Sequence, residues 1–468
     1  MVRIIYRRLK AQPYLELTTL LLTLVTALLL VTSCTIVNDD PKVTFMVADP
    51  GHFHAALVLK TRYDGVKPNV YVYAPDGPEL ADFGKRVGGY QTRHDNPAKW
   101  VIKEFRGPGF FEKMISEKPG NVLILAGNNG KKTEYILTAV QNGINVFADK
   151  PMAIDPDGFD QLVQAFDEAT RKGVLLYDIM TERFEISSIL QKDLSHIPEV
   201  FGELQTGTPE DPAVTKVSVH HFFKYVSGTK LTRPPWFFDT DQEGEGIVDV
   251  TTHLVDLVQW ACFPDQVIDY KKDIQIFSAR HWTTDILPGQ YREVTGSSTY
   301  PQYLLPHLNQ DSLLQVFSNG EINYRIKGIH ARVSVIWNYK APAGGGDTHF
   351  SVMKGSLSSI EIRQGPEQKF KPELYVFPTN NNSGFVKVIA QSVEGLALKY
   401  PEISVVPFKN GYHILIPDAL RVGHEAHFAQ VTQNYLTYLK KGQLPVWEVP
   451  NMLAKYWLTT RAEKLSND

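Results

Sequence analysis

The sequence predicts an α/β domain with a doubly wound parallel sheet, followed by an α+β domain on a large, mainly antiparallel sheet. Two observations predict this fold. From Val43 to Tyr177 short apolar runs alternate with amphipathic stretches, the rhythm of strands joined by crossover helices. After about Thr181 strand-like runs follow one another with few helices between them, as antiparallel sheets require.

The elements follow in order. Val43-Thr-Phe-Met-Val-Ala48 is an apolar run closed by Asp49-Pro50-Gly51, and residues 54–60 have helical character, so the chain opens as strand, turn, helix. Val70-Tyr-Val-Tyr-Ala74 supplies a second strand before Pro75-Asp76-Gly77. Asn121-Val-Leu-Ile-Leu-Ala126 is a third, followed by Gly127-Asn128-Asn129-Gly130 and a helix over 133–142. Val146-Phe-Ala148 is a fourth, ending at Asp149-Lys150-Pro151. A helix over 156–172 and the strand Val174-Leu-Leu-Tyr177 complete the unit. Such sheets gather ligands at the carboxyl ends of their strands. Beyond residue 181, residues 217–225, 274–279, 322–326, 330–339, 348–353 and 358–363 read mainly as strands. Ala341-Pro-Ala-Gly-Gly-Gly346 reads as a hairpin loop, residues 284–319 as an insertion and 431–441 as a late helix.

With 468 residues the chain can build two cores, expected at residues 42–181 and 182–468. A net charge of -3 with dispersed Lys and Arg argues against nucleic acid and for a small-molecule partner. Cys34 and Cys262 are the only cysteines, which excludes a disulfide framework and a cysteine-rich zinc module. Ahead of the fold, Arg3, Arg7, Arg8 and Lys10 precede an apolar run over 17–31 and then Thr32-Ser33-Cys34: a charged segment, a hydrophobic segment and a processing site. Residues 1–34 therefore read as an export signal, similar to a bacterial lipoprotein signal in which Cys34 carries the lipid, and 35–41 as a polar tether. An uncleaved membrane anchor is the alternative. Both place the folded part in the cell envelope, facing the periplasm or the exterior.

Candidate site residues come from four places. Asp249, His253 and Asp256 stand at i, i+4 and i+7, which stacks them on one face of a predicted helix. Val250, Leu254, Leu257, Val258 and Ala261 form a separate stripe by which that helix can dock. A carboxylate and an imidazole so placed suit acid–base work; a helix-end carboxylate and a semi-buried histidine are the structural alternative. The turn after the first strand keeps one glycine of a dinucleotide fingerprint, Gly51, which permits a diphosphate to approach the backbone; His52 and Phe53 flank it. Asp76 stands where a ribose-binding acid is expected, or serves the turn alone. Lys150, at the carboxyl end of a strand, can hold a substrate hydroxyl or lie on the surface before a helix-starting proline. Glu182-Arg183, after the fifth strand, can meet substrate anions or hydroxyls or form a structural salt bridge. Of His220 and His221 one imidazole, taken as His221, is expected near the cleft and the other on the opposite side. Trp236 can stack on a sugar ring or fill a core. No compact ligand motif supports a metal site built from His253, Asp249 and His220 or His221.

Three ordered motifs, Asn128-Asn129, Gly143-Ile-Asn-Val-Phe-Ala-Asp-Lys-Pro151 and Gly244-Glu-Gly-Ile-Val-Asp-Val-Thr-Thr-His-Leu-Val-Asp256, resemble those of the Gfo/Idh/MocA oxidoreductases. The resemblance runs from about Val43 to Gly365. It implies a Rossmann domain, a C-terminal domain whose sheet forms a homo-oligomer interface, and NAD or NADP as hydride carrier. It further implies that Lys150 polarises a substrate hydroxyl, that His253 near its reference pKa acts as acid/base, that Asp249 orients substrate or imidazole, and that Asn128, Asn129 and Pro151 line the cofactor cleft. The implied substrate is a sugar, inositol or related polyol. A glycosidase using transient oxidation and a non-catalytic envelope sugar-binding protein are the alternatives. Three positions depart from the family pattern: Asp149 replaces Glu, Thr251 replaces Gly, and the first turn lacks two glycines.

Overall fold

The computed structural model describes residues 43–226, 228–380 and 383–467. The export signal, Cys34 and the tether read from the sequence lie outside the described residues. Among the described residues no helix is long and apolar enough to cross a membrane.

Six strands, β1 (Val43–Ala48), β2 (Val66–Ala74), β3 (Val101–Arg106), β4 (Val122–Leu125), β5 (Asn145–Asp149) and β6 (Leu176–Ile179), form a parallel sheet in the order β3-β2-β1-β4-β5-β6. β1 and β4 are buried along their whole length because helices cover both faces, so they read as unbroken apolar runs. The sequence reading has five strands. The missing one, β3, is the edge strand, whose Lys103, Glu104 and Arg106 blunt its free side and hide it from a search for apolar runs. The strand order reverses between β1 and β4, and a crevice opens at their carboxyl ends.

Local signals fix the flanking helices. In the helix Pro156–Lys172, Asp155 caps the start by accepting from the Gly158 N–H at 2.7 Å, and proline fills the first position. Arg171 and Lys172 meet the negative end of the dipole, and Gly173 closes the helix at φ 67°. Phe159, Leu162, Ala165, Phe166 and Ala169 form its buried stripe.

The second sheet is built from β7 (Val214–Phe223) and, after a small ribbon of β8 (Tyr225–Val226) and β9 (Thr229–Lys230), from β10 (Ile274–Ile286), β11 (Leu314–Ile326), β12 (Ile329–Lys340), β13 (Thr348–Lys354), β14 (Ser358–Arg363), β15 (Glu373–Pro378), β16 (Ser404–Phe408) and β17 (Gly411–Leu415). The order is β10-β11-β12-β7-β13-β14-β15-β17-β16, with β12–β7 parallel and the other pairs antiparallel. This corrects the glycine-rich hairpin: β12 and β13 do not pair, because β7 lies between them, and residues 341–346 cross the end of β7. The stretch read as an insertion is part of the fold. Tyr291, Val294, Leu304 and Leu314 pack with Phe222, Phe237, Phe238 and Trp337 in a third core.

The last two helices, His424–Lys441 and Glu448–Asn467, return to the first sheet. Phe428, Val431, Tyr435, Leu436, Met452 and Tyr456 join its core, while Ala454, Leu458 and Ala462 join that of the second.

Candidate active site

A cavity of about 1100 Å³ opens at the carboxyl ends of β1 and β5, walled on its other side by β7, the helix Thr251–Cys262 and the start of the helix His424–Lys441. Lys150, the first residue past β5, lines it, and its Nζ donates to Asp249 Oδ1. Both side chains are buried. Burial disfavours the ammonium, but the carboxylates of Asp249 and Asp149 outweigh it and raise the Lys150 pKa. Burial likewise opposes charge on Asp249, and Lys150 overcomes it, so the Asp249 pKa falls. The result is a buried, charged pair at the cavity wall.

Asp249 is not on the regular helix. That helix begins at Thr251, and residues 246–250 form tight turns in which the Asp249 N–H donates to Glu245 O. The cause is close packing: a Cβ on Gly246 would lie 1.8 Å from Ser318 O on β11, so the segment meets the sheet before it can wind. Thr251, where the family has glycine, is buried, and its hydroxyl donates to Gly246 O at 3.0 Å. Asp249 and His253 nevertheless both reach the cavity, one from the turn and one from the helix.

The His253 pKa is pushed down to about 4, first by burial and then by Lys150, against the pull of Glu182 and Asp249. This corrects the expected near-reference value: the imidazole is neutral at pH 7. Its Nδ1 is buried without a hydrogen-bond partner. Beside the pair, Glu243 is buried and its carboxyl is raised well above the ordinary range by burial and by Asp249. Two carboxyls in one pocket are thus driven apart, Asp249 downward and Glu243 upward.

The turn after β1 departs from the fingerprint yet keeps its shape. Asp49 takes the left-handed backbone, φ 47°, that the first glycine usually supplies. A Cβ on Gly127 would lie 1.9 Å from Asp49 O, so the loops after β1 and β4 touch backbone to backbone. Asp76 is exposed at the carboxyl end of β2, next to β1, with Arg106 Nη1 3.9 Å away. A left-handed turn, a close glycine contact and an exposed acid on the next strand fit a dinucleotide. His52 and His54 both turn inward, and each Nδ1 meets Asp149 Oδ2, at 3.2 and 2.8 Å. Phe53 packs against both rings and lines the cavity.

Several expected site residues are placed otherwise. Asn128 donates to Gln242 Oε1 at 2.8 Å and accepts from the Gly130 N–H, while Asn129 donates to Glu243 O at 2.7 Å and accepts from Lys132. Both amides therefore tie the β4 loop to residues 242–243 and are committed to protein partners. The carbonyl of buried Pro151 accepts from Lys132 at 3.1 Å. Arg183 does not line the cavity: it forks onto Asp256 with two bonds of 2.6 Å and reaches Glu448 at 3.0 Å, in a network where Lys455 also bridges Asp256 and Asp178. Asp256 accordingly supports the fold. Trp236 does not line the cavity; it stacks on Gly51, where an added Cβ would meet the indole at 3.0 Å. His220 and His221 do not face opposite sides. Both line the cavity and both reach Asp347, His220 Nδ1 at 3.2 Å and His221 Nδ1 at 3.1 Å, each to its own oxygen. β13 starts at Thr348 opposite Val219, so past that point Asp347 sits off the strand end and both rings can turn to it.

Residues the sequence reading missed complete the wall. Glu243 immediately precedes the Gly244 motif, and Lys132, three positions after Asn129, lies behind the wall rather than on it. Lys132 is buried, its pKa lowered to about 8 chiefly by burial, and it donates to Asp149 O at 3.0 Å. His424 and His427 line the cavity from one helix face; their i, i+3 spacing was the available signal. His424 Nδ1 lies 3.4 Å from Glu182 Oε1, which also lines the cavity.

Comparison with known proteins adds a family. Residues 70–177 match the model described as "Oxidoreductase family, NAD-binding Rossmann fold", and residues 190–467 that described as "Putative oxidoreductase C terminal domain". Comparison with curated proteins gives no match. Among solved structures, a "putative oxidoreductase" from Parabacteroides merdae is 52% identical, with 92% of this chain and 98% of that chain covered at a TM-score of 0.89. Levoglucosan dehydrogenase in complex with NADH and levoglucosan is 11% identical, covering 91% and 98% at a TM-score of 0.56. GenD2 from gentamicin A biosynthesis in complex with NAD is 13% identical, covering 91% and 95% at 0.55. The last two show a shared fold. The two family matches and the Parabacteroides relative establish that this chain belongs to the Gfo/Idh/MocA oxidoreductases, with an NAD-binding Rossmann domain and the C-terminal oxidoreductase domain.

Proposed function

We propose that the protein oxidises or reduces a hydroxyl of a sugar, inositol or related polyol in the cavity, with Lys150, Asp249 and His253 as its machinery. The observation that carries this reading is the buried Lys150–Asp249 pair beside the neutral imidazole of His253, all on one cavity wall. When bound, NAD supplies the hydride acceptor or donor. The Asp49–Gly51 turn, with Phe53 and Trp236 beside it, and Asp76 at the ribose side would hold it.

Lys150 stays protonated through its carboxylate neighbours, so it donates a hydrogen bond to the reacting oxygen and does not take its proton. Asp249 fixes the ammonium's direction. His253, on the cavity wall, accepts the hydroxyl proton. With a pKa near 4 it is a weaker base than a solvated imidazole, so the negative charges of Glu182 and Asp249 must help hold the proton. Levoglucosan dehydrogenase holds NADH and levoglucosan in a similar fold, which favours a carbohydrate.

The same reading carries two assignments about the whole molecule. The signal-like residues 1–34 support export to the cell envelope with a lipid on Cys34. Fatty-acid labelling that survives Cys34→Ser would sink that assignment. The open face of the second sheet, where Val217 pairs with half-exposed Phe350 and Val219 with Ile336, supports a homo-oligomer through that sheet; a monomer by light scattering would reject it.

The deciding experiment is nucleotide analysis of denatured purified protein by absorbance and mass, followed by turnover with sugars including levoglucosan. Failure to carry or bind NAD(H) or NADP(H) at millimolar concentration would leave a sugar-binding protein. Glycoside cleavage without net nucleotide turnover would make the protein a redox-assisted glycosidase.

A further inference from the structure

We propose that His52, His54 and Asp149 bind a divalent first-row transition-metal ion of the Zn²⁺ type on the cavity wall. The three side chains come from two strand ends and meet at one point. Their potential ligand atoms all lie within 4.8 Å of one another. The two imidazoles are nearly perpendicular, with ring centres 4.1 Å apart and an interplanar angle of 82°, so their nitrogens approach from different directions.

The separations suit an ion. A tetrahedral ion with ligands at about 2.0–2.1 Å holds its ligand atoms about 3.3 Å apart. Asp149 Oδ2 lies 3.2 Å from His52 Nδ1 and 2.8 Å from His54 Nδ1, so a small outward shift admits one. Without an ion the arrangement is unbalanced. One carboxylate oxygen receives both rings, while the other, Asp149 Oδ1, is buried with no hydrogen-bond partner. Two neutral N–H donors on a single oxygen leave a buried carboxylate charge that a cation bound at Oδ2 would neutralise.

Neighbouring cations are committed elsewhere. Lys150 is held by Asp249; Lys132 donates to Asn129 Oδ1 and to the carbonyls of Asp149 and Pro151, not to the Asp149 carboxylate. His52 and His54 line the cavity, which supplies an entry path and a fourth position for water or a ligand oxygen. Binding through Nδ1 requires each neutral ring only to move its proton to Nε2. Two imidazoles and one carboxylate suit Zn²⁺, Co²⁺ or Fe²⁺ over Mg²⁺ or Ca²⁺, which prefer all-oxygen shells.

The test uses the untagged full chain, stripped with chelator and dialysed against Zn²⁺ or Co²⁺. The expected result is about one ion per chain, a rise in melting temperature on adding it, and an affinity loss of at least roughly 10–100-fold in His52→Ala and in His54→Ala. His52, the more exposed ligand, provides the variant safest for folding. Equal binding by the wild type and the His52→Ala/His54→Ala double variant would overturn the proposal. So would binding abolished only by His220→Ala/His221→Ala, since the ion would then belong to the Asp347 cluster, and so would no binding of either ion by the wild type.

Discussion

Lys150 and Asp249, 99 positions apart in sequence, meet as one buried ion pair that joins the end of a parallel strand to the turn before a helix of the second domain. The contact fixes the reacting wall and welds the two domains at the same point.

Removing one partner should therefore damage both activity and stability. Asp249→Asn or Lys150→Met is expected to cost about 3–5 kcal/mol in denaturant unfolding, because a buried charge is left alone. Turnover should fall by about 10²–10⁴-fold. The double variant Lys150→Met/Asp249→Leu should recover most of the stability and none of the activity. Recovery of activity would show that the pair is structural.

The low pKa of His253 makes a pH prediction with a definite sign. Its folded value is about 4 and its unfolded value about 6.5, so the unfolded chain binds the proton first. Stability from this group is complete above about pH 6.5 and is lost as pH falls toward 4, at roughly 1 kcal/mol per pH unit in mid-window. His427, lowered to about 4, and His349, lowered to about 3, act in the same direction. Unfolding titrations at pH 7 and 4.5 should show a smaller difference for His253→Gln than for the wild type. The acidic limb of the free-enzyme rate profile should lie nearer 4 than 6.5.

Arg183→Met and Asp256→Asn should destabilise the protein by about 3 kcal/mol or more, since each breaks a buried network that includes Lys455 and Glu448. The folded fraction should keep its KM. A large rise in KM with unchanged melting would restore Arg183 as a substrate ligand.

The glycines at the cofactor turn should differ in severity. Gly127→Ala puts a Cβ 1.9 Å from a backbone oxygen, which cannot move cheaply, and should cost more than about 3 kcal/mol or block folding. Gly51→Ala meets the Trp236 ring at 3.0 Å and the Gly127 backbone only at an ordinary 3.7 Å, and should fold while binding NAD(H) more weakly. Thermal melts and fluorescence titration with NADH would check the order.

The alternation of apolar runs made the first sheet legible, because strands covered on both faces have a simple signature. β3 escaped because an edge strand carries charge for its own protection. The pairing of Lys150 with the Asp249 segment was legible through motifs of fixed spacing. Arg183 was not, because an arginine at a domain junction looks alike whether it faces a ligand or a carboxylate; only the fold places Asp256, Glu448 and Lys455 around it. Two departures from the family pattern, Asp149 for Glu and histidine in a glycine turn, look unrelated in sequence and are one cluster in space: the shorter carboxylate receives the two added imidazoles. Trp236 was read as a sugar platform because no periodicity reveals that a glycine elsewhere has been cleared for its ring.

The helices His424–Lys441 and Glu448–Asn467 lay their apolar faces on the first sheet, and one of them lends two histidines to the cavity while the other buries Lys455 between the domains. The cavity is therefore closed by residues far in sequence from the strands whose ends it opens on. Cutting these two helices away would leave the strands of the nucleotide sheet and most of the motifs, but without that wall and without the ammonium that bridges Asp178 and Asp256.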